Sequence, residues 1–110
     1  MQIPYGNEAI VATEKIRDYL LPPIHPIGRY KAAFFRDLGY AQANWRELER
    51  SIRTLLLKEA LLLNSTECGQ KFSIAGSISG PNGRVATIAT VWIIFTGERA
   101  PRFVTAYPED

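Results

Sequence analysis

Residues 70–95 read "QKFSIAGSISGPNGRVATIATVWIIF", and this stretch decides the fold. From Gln70 to Ser79 apolar and polar residues alternate. Phe72, Ile74 and Ile78 fall on one side, and Lys71, Ser73, Ser77 and Ser79 on the other, which is the period of a half-buried strand. Gly80-Pro81-Asn82-Gly83 is a turn signal, with Asn and Gly suited to positive φ. Arg84 to Phe95 follows as a long β-branched strand, apolar on both faces near Val91 to Ile94. That composition predicts a central strand with helices on one side. A loop over Thr96–Pro101 then leads to a last strand, Arg102 to Tyr107.

Upstream of this stretch the period is that of a helix. The spacing predicts a first helix over 13–21, opened by Thr13 as N-cap, with Ile16, Tyr19 and Leu20 on its apolar face. Pro22 and Pro23 end it, and residues 22–27 form a stiff connector. A second helix is expected from Gly28 to Leu38, with Gly39 as its C′ residue. The third is expected to be the longest, from Gln42 to Leu62, with Trp45, Leu48, Ile52, Leu55, Leu56 and Leu62 at helical spacing. Leu57, Ala60 and Leu61 widen that stripe, which predicts a deeply buried end or a surface covered by a partner or a second copy. The expected fold class is α+β: about three N-terminal helices on one face of an antiparallel meander of three strands, or four.

The chain has 110 residues, which fits one domain over 1–110 able to bury a core without staples. Thirteen Lys and Arg against eleven Asp and Glu give +2, too little to argue nucleic-acid binding from bulk charge. A lone cysteine, Cys68, forms no internal disulfide and fits a reducing, cytoplasmic setting. Neither a signal peptide nor an apolar run of membrane-spanning length is present, so no membrane partner is expected.

The chemistry-bearing stretch is "HPIGRYKAAFF", residues 25–35. His25 is the only imidazole of the chain, and its ordinary pKa suits general acid–base work near neutral pH. Gly28, Arg29 and Lys31 stand at the expected start of the second helix, where unpaired N–H groups and the helix dipole already carry positive character. Each cation there costs about 0.3–1 kcal/mol if exposed, a cost that disappears when an anion binds. Lys31 also lies on the side of Phe34, Phe35 and Leu38, at the border of the core. Two uses are open to it: clamping a phosphate or developing oxyanion, or laying its stem over the phenylalanines with its ammonium in water. On the last strand, if Val104 and Ala106 face inward, Arg102 lies with them and Phe103, Thr105 and Tyr107 share the other side. Thr105 and Tyr107 then present two hydroxyls within reach of a bound phosphate. Arg84, just past the turn, is a further candidate anion contact. One histidine and one cysteine far apart make no metal site, and no cofactor is implied.

The segments "HPIGRYKAAFFRDLGY", "GPNGR", "TVWI" and "PRFVTAYP" together resemble a bacterial family of small domains of unknown function. Its members carry H-P-x-G-x-x-K-A-x-x-F-x-x-L-G-Y near the start and V-T-A-Y-P near the end, and stand alone or as C-terminal modules of polymorphic toxins. The resemblance runs from about Ile3 to Pro108. It implies a fold like that of the barnase, EndoU, colicin and RelE class of metal-independent ribonucleases. It also implies a small neutralising or partner protein. Two functions follow as expectations. One is a toxin-like RNA-cleaving domain using His25, Lys31, Thr105 and Tyr107, with Gly28, Arg29 and Arg84 binding the anion. The other is a non-catalytic module that docks a protein, or a second copy, through Leu57, Ala60 and Leu61.

Overall fold

The structure, a computed structural model, describes residues 1–22 and 30–109. Its centre is a four-stranded antiparallel meander in sequence order: β1 (Ala60–Thr66), β2 (Gly69–Ser79), β3 (Val85–Phe95) and β4 (Arg102–Pro108). The β2–β3 hairpin pairs without a break from Gly69↔Phe95 to Ser79↔Val85. The alternation of β2 is preserved: Phe72, Ile74 and Ile78 are buried, while Ser77 and Ser79 are exposed.

Helical segments cover the inward face. Residues 15–20 form a π-helical turn closed by Leu21 N–H donating to the Ile16 carbonyl at 3.1 Å. The wider turn sends Ile16, Leu20 and Leu21 into the core and leaves Tyr19 53 % exposed, so Tyr19 is not part of the apolar face that a regular helix would give it. No side chain caps the start of this turn. Helix α1 (Tyr30–Asp37) ends as expected at Gly39, with φ 97°. Gly39 N–H donates to Arg36 O and Tyr40 N–H to Phe35 O, the paired bonds of a Schellman cap. Helix α2 (Trp45–Thr54) buries Leu48 and Ile52. These residues, with Phe35, Leu38 and Leu55, pack against Phe72, Ile74, Ile88, Trp92, Phe103 and Ala106.

The long third helix expected to reach Leu62 is corrected. It stops at Thr54, passes through a tight turn over Leu55–Leu57, and the chain re-emerges as β1. The leucine-rich run has strong helical propensity, but pairing Ala60↔Ile74 and Leu62↔Phe72 supplies β2 with a partner strand. The register slips between Leu62 and Asn64, and β1 is an edge strand. The proposed docking stripe changes with it. Ala60 is buried at 3 %, while Leu57, Leu61, Leu62 and Leu63 are all more than half exposed.

A second correction concerns β4. Its register against β3 slips between Val91 and Trp92, because Thr105 pairs with Val91 and Phe103 with Trp92. The extra residue is Val104, and the bulge buries both Phe103 and Ala106. Phe103 therefore stacks edge-on against Trp92, ring centres 5.3 Å apart, and does not share the outer side with Thr105 and Tyr107.

Candidate functional site

The bulge and the π turn bring one polar cluster together at the β4 edge. Lys31, in the first turn of α1, is half-buried as the border position of an amphipathic helix should be. Its Nζ donates to Thr105 Oγ1 at 2.9 Å and to the Tyr19 hydroxyl at 3.1 Å. The same ammonium stands 5.2 Å from the centre of the Tyr19 ring, and Lys15 Nζ stands 5.8 Å from it. Lys15 is tied in turn to β4, donating to the Val104 carbonyl at 3.2 Å. Two ammonium groups, a phenol and a hydroxyl thus converge, with no carboxylate among them. Such a donor set suits an anion, not a metal ion. Among the described residues no group of three His, Cys, Asp or Glu could hold a metal ion.

Of the residues expected from sequence, Lys31 and Thr105 meet directly. Tyr107 follows Thr105 by two positions on β4, about 7 Å along the strand, and is 38 % exposed. Arg84 is not in this group. It lies just before Val85, six residues or about 20 Å of strand from Val91, the partner of Thr105. Its turn packs instead on the far end of α1, where Asn82 Nδ2 donates to Asp37 O at 2.8 Å. His25, Gly28 and Arg29 lie outside the described residues.

Tyr19 and Lys15 are the members that sequence reading missed. The signal was available as a Lys-x-x-x-Tyr spacing, which stacks an ammonium over a ring on one helical face. It was obscured because Tyr19 also falls at an apolar-stripe position next to Leu20.

The cluster acidifies its phenol. The hydrogen bond from Lys31 holds the Tyr19 pKa below its ordinary 10.0, helped by Thr105 and by the charges of Lys31 and Lys15. Burial moves Tyr40 the other way, above 10.0. Because the folded-state pKa of Tyr19 is depressed, its phenolate stabilises the fold above the unfolded pKa, and that contribution fades as pH falls through the folded value. In an ultraviolet phenolate titration of the intact domain, Tyr19 is expected to ionise below pH 10 and Tyr40 above it. Lys31→Met should move the early transition upward and leave the late one in place. An early transition that survives Lys31→Met would contradict this geometry.

The family model described as "Domain of unknown function (DUF6883)" matches residues 2–110, and the chain belongs to that family. Neither curated proteins nor solved structures gave a match. No helix among the described residues is long and apolar enough to cross a membrane.

Proposed function

We propose that this member of the family is a toxin-like, metal-independent RNA-cleaving domain of the cytoplasm, whose phosphate site is the Tyr19–Lys31–Thr105 cluster. The observation that carries the reading is the convergence of one ammonium on two hydroxyls, 2.9 Å and 3.1 Å away, beside a second lysine and without a carboxylate. A phosphodiester entering there would replace the Lys31–hydroxyl bonds with stronger charge-assisted ones.

Cleavage proceeds by internal transfer. A base removes the proton of the ribose hydroxyl next to the phosphate, and that oxygen bonds to phosphorus. The bond from phosphorus to the following nucleoside's oxygen breaks, and a proton returns to that oxygen. The products are a cyclic phosphate end and a free hydroxyl end, with no water or redox partner consumed. Lys31 stabilises the charge that grows on the phosphoryl oxygens, and Thr105 orients them. His25, six residues before Lys31 in the chain, takes or returns the proton; the acidified phenol of Tyr19 is the second proton carrier. Gly28 and Arg29, which lie outside the described residues, are the further anion-binding residues this reading calls on, and Tyr107 adds a hydroxyl.

The test is incubation of purified protein with a mixed RNA pool. Wild-type protein should yield fragments with cyclic phosphate ends, and His25→Ala and Lys31→Met should each slow the reaction at least ~10-fold. No cleavage by correctly folded wild-type protein, with no effect of its expression on cell growth, would end this reading.

A second reading has its own observation. Leu61 (64 % exposed), Leu62 and Leu63 line an uncharged edge strand, a form that natural proteins usually blunt, and Leu57 (75 %) stands exposed in the turn that leads into it. On this reading the domain docks a small neutralising protein by strand addition at β1. Leu61→Lys with Leu63→Lys should then abolish complex formation while leaving the cluster chemistry intact.

A further inference from the structure

The outer face of the sheet carries a cavity of about 390 Å³ next to the phosphate cluster, a volume in the range that small ligands occupy. Ile93, Phe95 and Val104 form its apolar floor, and Lys15, Lys71 and Arg102 stand around it. Strand register explains the arrangement. Lys71, Ile93 and Arg102 pair in one row across β2, β3 and β4, so they share a face. The adjacent row on that face holds Val91 and its partner Thr105, one pleat or about 7 Å away. Lys15 borders both places: it lines the cavity, and its ammonium lies against the Tyr19 ring.

The floor is chemically selective. Phe95 is 40 % exposed, and the Arg102 guanidinium stands 6.0 Å over its ring, partly neutralised by Glu98 at 3.0 Å. Lys71 makes no ion pair among the described residues, and no carboxylate lines the cavity. A larger cavity of about 470 Å³ beside Ile3 and Leu57 lacks this character. Its lining holds one cation, Arg53, already bound to Glu49 and the Ala9 carbonyl.

From these features we infer that the cavity is a nucleobase subsite, holding the base of the nucleotide whose phosphate lies at Lys31 and Thr105. A flat ring stacks on Phe95 beneath Arg102, Lys71 flanks the ring, and Lys15 stands between it and the phosphate. One pleat of strand separates this floor from Thr105, a span compatible with a single nucleotide bridging both. The inference rests on the phosphodiester reading for the second half of the ligand, but its test does not require catalysis.

Nuclear magnetic resonance titrations of the whole domain with adenosine monophosphate, adenosine and inorganic phosphate give the test. Adenosine monophosphate should shift resonances of Lys71, Ile93 and Phe95 together with Lys31 and Thr105. Phosphate should shift only the latter pair. Phe95→Ala should weaken nucleotide binding ~10-fold or more while leaving the phosphate response unchanged. Lys71→Gln, a surface change that spares the floor, should weaken it by a smaller factor and guards against a folding defect in Phe95→Ala. Nucleotide shifts at the cavity without RNA cleavage would support the subsite and remove the catalytic reading. Cleavage that Phe95→Ala leaves at the wild-type rate, with no nucleotide shifts at the cavity, would overturn the subsite and spare the catalysis.

Discussion

Gly80→Ala is expected to lower stability by more than ~4 kcal/mol, beyond the ~0.5–3 kcal/mol of ordinary substitutions and a large share of the ~5–15 kcal/mol that a domain possesses. A Cβ at Gly80 would sit 1.9 Å from the carbonyl oxygen of Leu38 and 2.7 Å from both its carbonyl carbon and its Cβ. Those are largely backbone atoms, which do not swing aside. Leu38 is held from both directions: its side chain is 4 % exposed in the core, and the Schellman cap at Gly39 fixes the chain after it. Tyr40 tightens the clamp by donating to the Ser79 carbonyl at 3.1 Å, one residue before Gly80. Relief of the overlap therefore requires α1 to part from the β2–β3 turn. Gly83→Ala is the control in the same turn. Gly83 has φ 87° but nothing within 4 Å, so its cost is only the left-handed strain of about 1–2 kcal/mol. Urea unfolding of the two variants separates close approach from backbone conformation. Equal midpoints would refute the account of Gly80.

That glycine marks the boundary of what the sequence makes legible. The turn itself is readable from Gly-Pro-Asn-Gly, because dihedral preference is local. The reason for its first glycine is a contact with a helix more than forty residues earlier, which no local pattern encodes. Helix α1 and its Gly39 end were legible for the same local reasons, as was the pairing of β2 with β3. The misreadings share one cause. Residues 57–63 carry helical propensity, yet β2 offers a free edge and recruits the run from Ala60 onward as a strand. The expected alternation of β4 fails at Val104 because a bulge satisfies two buried positions, Phe103 and Ala106, that strict alternation would place on opposite faces. At the site, Lys31 and Thr105 could be paired in advance from charge placement and a strand hydroxyl. Tyr19 was masked: its spacing from Lys15 is visible in the sequence, but at helical period it falls on the apolar stripe beside Leu20, and its exposure depends on the π turn.

The buried face of β3 carries the other large effect. Trp92→Ala is expected to cost ~3–5 kcal/mol, the range for removing a fully buried large aromatic and leaving its cavity. Trp92 is completely buried, and its ring meets Phe103 edge to face. It also has a polar obligation in an apolar place. Trp92 Nε1 donates to Thr90 Oγ1 at 2.8 Å, and that hydroxyl donates onward to the Ile74 carbonyl at 2.8 Å. Thr90 is itself fully buried, so water cannot stand in for either bond. Thr90→Val keeps the shape and strands the indole N–H, and should cost ~1–3 kcal/mol. Trp92→Phe removes the donor along with part of the ring. Once the indole is gone, losing the hydroxyl matters less. The double variant Thr90→Val with Trp92→Phe should therefore be more stable than the sum of the single losses implies, by at least ~0.5 kcal/mol. Denaturant midpoints at unchanged slope measure all three. Strict additivity would mean that the Thr90–Trp92 bond contributes no coupling, and that size and ring packing alone account for the tryptophan at the centre of the sheet.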